Sequence, residues 1–260
     1  MFGNLPPICR LNCETILYVQ NIFIIKNLPL TGFNWKQKIR IITERLWFNI
    51  FKNNVDRFVV QTCSMKELLL SEGHKNVEIL PFVGNMDVQC NIHKYIDYIY
   101  PSSGEAHKNH INLIKAWIQL ADADIYPELY LTLNENIFKE LCTWIENKIK
   151  SYNLKITNLG QVGSHREMLC YIKNSKCLIF PSLVESFGLP LVEAEYFNIP
   201  ILASEREYVR NIVFPVQTFD PDSFVSIASA VKRHLSIGEI PLPIYTPEEF
   251  IAKLEEGKVY

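Results

Sequence analysis

The sequence has no excess of either charge, because 26 lysines and arginines stand against 28 aspartates and glutamates, for a net charge of -2. A nearly neutral chain lacks the basic surface by which proteins bind nucleic acid, so we exclude that partner. The sequence also has no basic segment followed by an apolar one at its N-terminus, and no run of about 18 apolar residues. These absences predict a cytoplasmic chain with neither a secretory signal nor a membrane span.

The cysteines form no C-x-x-C pair and are odd in number, which argues against a disulfide framework and against a zinc site. His107 and His110 have the spacing of metal ligands, but no aspartate or cysteine is patterned with them. We therefore expect no metal and no cofactor. The seven thiols are expected to be reduced; they belong to Cys9, Cys13, Cys63, Cys90, Cys142, Cys170 and Cys177.

Strand-like and helix-like segments alternate along most of the 260 residues. This alternation predicts an α/β fold with parallel sheets and right-handed crossovers, doubly wound in each of two lobes. Pro81, Gly84 and a polar stretch interrupt it, which places the boundary between about 83 and 96. The expected domains are a first lobe over 1–88, a second lobe over 96–240, and a tail over 241–260 that forms a helix packing back on the first lobe.

Within the first lobe, residues 15–25 are rich in β-branched and aromatic types and predict a strand followed by a turn. From Trp35 to Asn53 the spacing predicts a helix, with an apolar face of Ile39, Ile42, Leu46 and Ile50 and basic residues around it. Two interpretations stay open: the helix packs on the sheet with a solvated basic face, or it contacts an anionic membrane through that face and through Trp47 or Phe48.

The segment 180–204 reads FPSLVESFGLPLVEAEYFNIPILAS and predicts a strand, a polar loop and a helix. Gly188 permits backbone conformations closed to other residues, and Pro190 is suited to the first helical turn. The loop can therefore present amide groups beside a helix N-terminus, which favours an anion. Glu185 precedes the helix and Glu193 lies about one turn inside it, so both can face one cleft, while Glu195 is expected to be solvated.

Loops that follow strands are where ligands bind in open α/β sheets. Besides the loop with Glu185, one loop contains His107, Lys108 and Asn109, and another contains Gly160, Gln161 and Val162. Carboxylates accept hydrogen bonds from sugar hydroxyls, and amides with a lysine bind phosphate, so together they suit a nucleotide sugar. His165 and Arg166 are interpreted as the capped or solvated start of a helix rather than as reacting groups, and Asp222 as a helix cap.

The stretch PSLVESFGLPLVEA resembles the E-x7-E motif of the retaining glycosyltransferases of the GT-B fold, in particular family 4. SGEAHKNHINLIKAW, NLGQVGSHREMLCYIKNSKCLIFPS and FDPDSFVSIASAV are similar to further segments of that family's C-terminal lobe. The resemblance implies two Rossmann-like lobes and transfer of a sugar from a UDP- or GDP-sugar to a glycan or lipid-linked acceptor with retention. The setting it suggests is synthesis of a surface polysaccharide such as O-antigen or capsule, at the inner face of the membrane.

The resemblance also implies a role for individual residues. Glu185 would lie against the transferred hexose, Glu193 would hold the ribose hydroxyls, and Lys108 would neutralise the diphosphate, so that Glu185 and Lys108 form the catalytic pair. The family's arginine, five or six residues before the lysine, is replaced by Ser103 or Ser102. Besides Glu193, the expected donor-binding residues are Ser186, Phe187, Gly188, Leu189, Gly160, Val162 and His107.

The first lobe departs from the family, because several of the family's early strands have no counterpart before Met1. An incomplete parallel sheet exposes apolar edges, so self-association through this lobe is expected. The gap also supports an alternative, a catalytically inactive donor-binding half-enzyme that is the partner of a complete transferase. A nucleotide-sugar epimerase on the same fold is a third interpretation.

Overall fold

Two separate parallel sheets organise the chain in a computed structural model, which describes residues 1, 3–31, 33–90, 95–238 and 244–255. The first sheet has three strands in the order β1-β2-β3, and the second has six in the order β6-β5-β4-β7-β8-β9. We call residues up to β3 the first lobe and residues from β4 to α9 the second lobe. The strands are Ile16–Tyr18 (β1), Arg57–Val60 (β2), Val77–Ile79 (β3), Ile96–Tyr100 (β4), Leu129–Leu131 (β5), Ile156–Asn158 (β6), Ser175–Phe180 (β7), Ile201–Ser204 (β8) and Gln217–Phe219 (β9).

Helices connect these strands in the alternation that the sequence predicts. They are Ile22–Ile25 (α1), Trp35–Phe51 (α2), Cys63–Ser71 (α3), His110–Ala121 (α4), Lys139–Tyr152 (α5), His165–Lys173 (α6), Leu189–Tyr196 (α7), Glu207–Arg210 (α8), Phe224–His234 (α9) and Pro247–Glu255 (α10). Every strand pair is parallel. The predicted α/β class with doubly wound lobes is confirmed, and the first lobe is small.

The second lobe holds the larger hydrophobic core. Its central strands β4 and β7 are almost wholly buried, and helices α4 and α9 pack against each other beside them. A second cluster fills the first lobe. A third, small cluster joins Ile22, Phe23 and Ile41 of the first lobe to Val184 of the second, so apolar contact crosses the cleft directly above the segment with the two glutamates.

Helix α2 forms where it is predicted, but with another face towards the core. Ile41 and Phe48 are the buried residues of this helix, whereas the expected core face is exposed by 47–66% at Ile39, Ile42, Leu46 and Ile50. A helical repeat shows that an apolar stripe exists, and tertiary contacts decide which side is covered. Phe48 is buried and so does not face a membrane, whereas Trp47 is partly exposed and its indole donates to the carbonyl of Pro6. Membrane contact through the basic face and Trp47 stays a prediction.

Three local predictions were wrong. Residues 15–25 form β1 and then a short helix, because the Asn21 side chain accepts from the Phe23 amide and caps α1. The sequence pattern predicts that the helix after the second strand begins at Ser64, but α3 begins at Cys63 behind a Thr62 cap. The cap of α9 is Ser223 rather than Asp222, whose carboxylate pairs with the Arg206 guanidinium instead.

Two cysteines far apart in the sequence meet, contrary to the expectation of seven free thiols. Cys90 and Cys170 form a disulfide with their Cα atoms 5.3 Å apart. The first belongs to the segment after β3 and the second to α6, so 80 residues separate them and no spacing rule links them. Among the helices in the described ranges, none is long and apolar enough to cross a membrane.

Candidate functional site

The predicted loops converge at the carboxyl edge of the six-stranded sheet. Strands β4 and β7 are neighbours at its centre, with β5 and β6 on one side. Because all strands are parallel, the loops 101–109, 132–138, 159–164 and 181–188 leave the sheet at the same edge. The residues that the sequence assigned to three separate loops therefore lie around one cleft.

Hydrogen bonds tie loop 101–109 to loop 181–188. The Leu183 amide donates to the His107 carbonyl at 2.8 Å, and the Tyr100 hydroxyl donates to the Lys108 carbonyl at 2.7 Å. Asn109 adopts the left-handed conformation (φ 62°), and its side-chain amide donates to the carbonyls of Pro181 and Pro221 at 3.1 and 2.7 Å. Asparagine tolerates this backbone better than most residues do, and its hydrogen bonds hold the end of the loop that carries Lys108.

Lys108 and Glu185 meet inside the cleft. The Lys108 ammonium nitrogen lies 2.7 Å from Oε1 of Glu185, and both side chains are mostly buried. The pairing brings together the two residues expected to be catalytic, although 77 residues separate them. Each charge is desolvated and compensated by the other, so a bound anion would compete with Glu185 for the lysine.

Glu193 is the most deeply buried carboxylate of the cleft. Only 3% of its side chain is exposed, and Oε1 lies 2.6 Å from Nε2 of His165 at the start of α6. Burial raises the pKa of Glu193, while the hydrogen bond from His165 acts in the opposite direction. A buried carboxylate with such a partner remains a strong acceptor for ligand hydroxyl groups.

Two adjoining cavities open at this edge. The larger, of about 520 Å³, is lined by Glu193, Leu189 and Val162, and the smaller, of about 230 Å³, by Lys108, Glu185, Ser186 and His107. Ser103 and Glu105 line both. A volume of several hundred cubic ångströms is that of a small-molecule site.

Gly188 takes a positive φ of 78° and directly precedes α7. A Cβ there would come within 3.0 Å of the Leu191 side chain, so any larger residue would be strained as well as crowded. Gly160 also has a positive φ (72°). Among the predicted donor-binding residues, Gly160, Phe187 and Gly188 are not in the lining of either of the two cavities.

Ser186 and His107 face the first lobe. The Ser186 hydroxyl accepts from the Ile22 amide at 2.9 Å, and the Thr62 hydroxyl donates to the Ser186 carbonyl at 3.3 Å. The His107 ring stacks on Phe33 with ring centroids 5.5 Å apart. Burial, reinforced by the nearby lysine charge, lowers the pKa of His107. Both residues thus help to hold the two lobes together at the cleft.

Sequence reasoning missed several residues of the cleft. His165 was interpreted as a helix start, and Gln37, Arg40 and Glu105 were not singled out, although all four line the cavities. For Gln37 and Arg40 no signal was available, because they come from the first lobe. The E-x7-E spacing could have prompted a search for a partner of Glu193, but nothing in the sequence identifies His165 as that partner.

His107 and His110 have different surroundings. His110 is buried at the start of α4, with its ring 4.9 Å from that of Tyr100, and neither ring nitrogen has a hydrogen-bond partner within the described part of the chain. Across that same part, no three histidine, cysteine or acidic side chains are grouped as a metal site would require.

Known structures share this architecture. HepE from Anabaena, solved in complex with UDP and glucose, is 12% identical with a TM-score of 0.63, and the alignment covers 85% of this chain and 62% of that one. Sucrose-phosphate synthase from Thermosynechococcus elongatus is 19% identical with a TM-score of 0.65, over 87% and 59%. The lipopolysaccharide outer core galactosyltransferase WaaB is 13% identical with a TM-score of 0.56, over 85% and 66%. This chain thus spans about three fifths to two thirds of the length of these three proteins.

These likenesses show a fold of the GT-B type with two Rossmann-like lobes, of which the first is small here. A search of curated protein sequences found no match. The profile described as Glycosyl transferases group 1 matches residues 85–239, which is more than half of the chain and includes the whole second lobe. The chain therefore belongs to the glycosyl transferases group 1 family.

Proposed function

We propose that this chain transfers a hexose from a nucleotide-diphosphate sugar to a glycan or lipid-linked acceptor, with retention of configuration, as in family 4. The observation that supports the proposal most strongly is the arrangement of two hydrogen-bonded side-chain pairs on adjoining cavities. Lys108 with Glu185 borders the smaller cavity, and His165 with Glu193 borders the larger. The pair of Lys108 and Glu185 suits a diphosphate and a sugar, and the pair of His165 and Glu193 suits a nucleoside.

The larger cavity is the proposed nucleoside site. Glu193 would accept hydrogen bonds from the ribose hydroxyls, as a buried carboxylate does. Val162 and the backbone near Gly160 would lie beside the base. We take UDP or GDP as the carrier, with UDP supported by the complex of HepE with UDP and glucose.

The smaller cavity is the proposed site of reaction. Glu185 would hold hydroxyls of the transferred sugar, and Lys108 would neutralise charge that develops on the leaving diphosphate. The amides of Phe187, Gly188 and Leu189, at the start of α7, would add favourable potential to the same oxygens. The leaving diphosphate would itself help to deprotonate the acceptor on the same face, so positioning supplies much of the catalysis.

Lys108 has two competing anions in this scheme. In the structure it is bound to Glu185, so the diphosphate must either displace that carboxylate or share the lysine with it. Sharing is feasible because an ammonium group has three donors, and the paired lysine is then already oriented towards the reacting bond.

An inactive half-enzyme is the second candidate. It is favoured by the first sheet, which has only three strands in the described residues. Such a protein would bind the donor in the second lobe and act as the partner of a complete transferase.

The decisive experiment measures nucleotide binding and nucleotide release on the same preparation. Calorimetry with UDP and with GDP would compare the wild type with Glu193→Ala and with Glu195→Ala, a control on the same helix whose side chain is exposed. Loss of hydrogen bonds to a charged group costs roughly 1.5–3 kcal/mol, so Glu193→Ala should weaken binding by about 10- to 100-fold. Glu195→Ala should bind as the wild type does.

Three results are distinguishable. Binding that depends on Glu193, together with nucleotide release from a panel of donors in the presence of acceptors, supports the transferase. Binding without release from any donor supports the half-enzyme. If neither nucleotide binds the wild type and Glu193→Ala changes nothing, both candidates are refuted.

The cellular setting is part of the same proposal. We propose synthesis of a surface polysaccharide on the cytoplasmic side of a membrane, for which the likeness to the lipopolysaccharide galactosyltransferase WaaB gives modest support. The exposed apolar face of α2, next to Lys36 and Lys38, supports contact with an anionic lipid surface, and self-association through that face is the competing outcome. We also propose the domain limits 1–88, 96–240 and 241–260, as expected from the sequence.

A further inference from the structure

We propose that Arg40, on helix α2 of the first lobe, binds the diphosphate of the donor as a second permanent cation beside Lys108. The inference rests on the proposed function, because it takes the smaller cavity as the diphosphate site. It assigns to the first lobe a direct part in donor binding.

The start of α2 lies over the junction of the two cavities. Asn34 caps the helix by accepting from the Gln37 amide, and the Gln37 side chain bonds back to the Asn34 amide, so the first turn is firmly placed. Gln37 lines the larger cavity, and Arg40, one turn later on the same side, lines the smaller. Both cavities share Ser103 and Glu105, so the two α2 residues border one continuous cleft.

The charges around the smaller cavity show why a second cation matters. Lys108 and Arg40 face Glu105 and Glu185, and His107 is neutral near pH 7 because its pKa is lowered. The net charge of these lining side chains is therefore zero with Arg40 and -1 without it. A diphosphate brings further negative charge, so binding next to two carboxylates with Lys108 as the one permanent cation would be unfavourable.

Among the described residues of the second lobe that line the smaller cavity, Lys108 is the one lysine or arginine. Ser102 and Ser103 stand six and five residues before Lys108, on the loop where the resemblance places an arginine. Ser103 is engaged locally, since its hydroxyl donates to the Glu105 carboxylate. Lys108 is itself occupied by Glu185 at 2.7 Å.

Arg40 is available for a ligand. Its guanidinium lies 3.7 Å from Glu44, four residues further along the helix, and 65% of the Arg40 side chain is exposed. An exposed pair of this kind contributes little free energy, so a phosphate can replace the carboxylate at small cost. The planar fork of arginine donors matches two phosphate oxygens better than an ammonium group does.

The test compares binding of UDP with binding of uridine, which lacks the phosphates. Isothermal titration would be run on the wild type, on Arg40→Met, on Arg40→Lys, and on Lys38→Met as a control that removes an exposed positive charge two residues earlier on the helix. Arg40→Met should weaken UDP binding by about 10-fold or more and leave uridine within about two-fold, because the lost contact is to phosphate. Lys38→Met should leave both unchanged, and Arg40→Lys should restore only part of the UDP affinity, because it keeps the charge but not the planar fork.

The inference is overturned if Arg40→Met binds UDP within about two-fold of the wild type, or loses UDP and uridine equally. Failure of the proposed function has a different signature, since the wild type would then bind neither UDP nor GDP. A wild type that binds UDP through Glu193 but is indifferent to Arg40 would retain the proposed function and refute only the role of Arg40.

Discussion

Protonation of His110 should make the protein sensitive to mild acid. The ring is 2% exposed, packs against Tyr100, and has no hydrogen-bond partner on either nitrogen in the described residues. Burial, with smaller contributions from the charges of Lys108 and His107, lowers the pKa of His110 to about 3. A proton on this ring would be a buried charge without a counter-ion.

The size of the effect follows from the two pKa values. An unfolded histidine has a pKa near 6.5, so below that pH the unfolded chain binds a proton at His110. The folded chain binds this proton only at about pH 3. The stabilisation is complete above pH 6.5 and is lost as the pH falls towards 3. At pH 4.5, two units below the unfolded value, the loss is about 3 kcal/mol, a large part of the stability of an ordinary domain.

Urea unfolding at pH 7.5 and at pH 4.5 measures this quantity. The wild type should lose about 3 kcal/mol more than His110→Leu between the two pH values, because leucine has a similar volume and does not titrate. The other histidines titrate in both proteins and cancel in the comparison. Equal losses in wild type and variant would refute the reasoning, whatever the stability of His110→Leu at pH 7.5.

Two further predictions concern the loop above β4 and the exposed face of α2. Asn109→Ala should destabilise the protein by about 3 kcal/mol, since it removes hydrogen bonds to Pro181 and Pro221 and strains a left-handed residue; Asn109→Gly should recover about 1 kcal/mol of that in urea unfolding. If alanine and glycine are equal, the backbone argument is wrong. Ile42→Asp with Leu46→Asp should abolish co-sedimentation with anionic phosphatidylglycerol vesicles, while gel filtration of the wild type as a dimer without lipid binding would instead favour self-association.

Local patterns in the sequence were enough to place most elements. The alternation of β-branched segments with helical repeats depends on neighbours within a few residues, so strands and helices alternate through the second lobe as predicted. Gly188 and Pro190 likewise act through their own backbone, and α7 starts where they indicate. The prediction that Glu185 and Lys108 share one cleft succeeded because parallel strands bring successive loops to one edge.

Contacts between distant segments could not be predicted in this way. The apolar stripe of α2 is visible in the sequence, yet Ile41 and Phe48 are the residues that it buries, because the position of the first sheet selects the covered side. The disulfide between Cys90 and Cys170 depends equally on where the segment after β3 meets α6.

The same division applies to the site. A single segment, 180–204, carries Glu185, Gly188 and Glu193 within nine residues, so its chemistry can be predicted from the sequence alone. In contrast, only the tertiary structure decides which residue is the partner of Glu193 and how the charges around Lys108 are balanced. His165 arrives from α6 and Arg40 from the other lobe, and only packing of the two sheets brings their side chains to the same cleft.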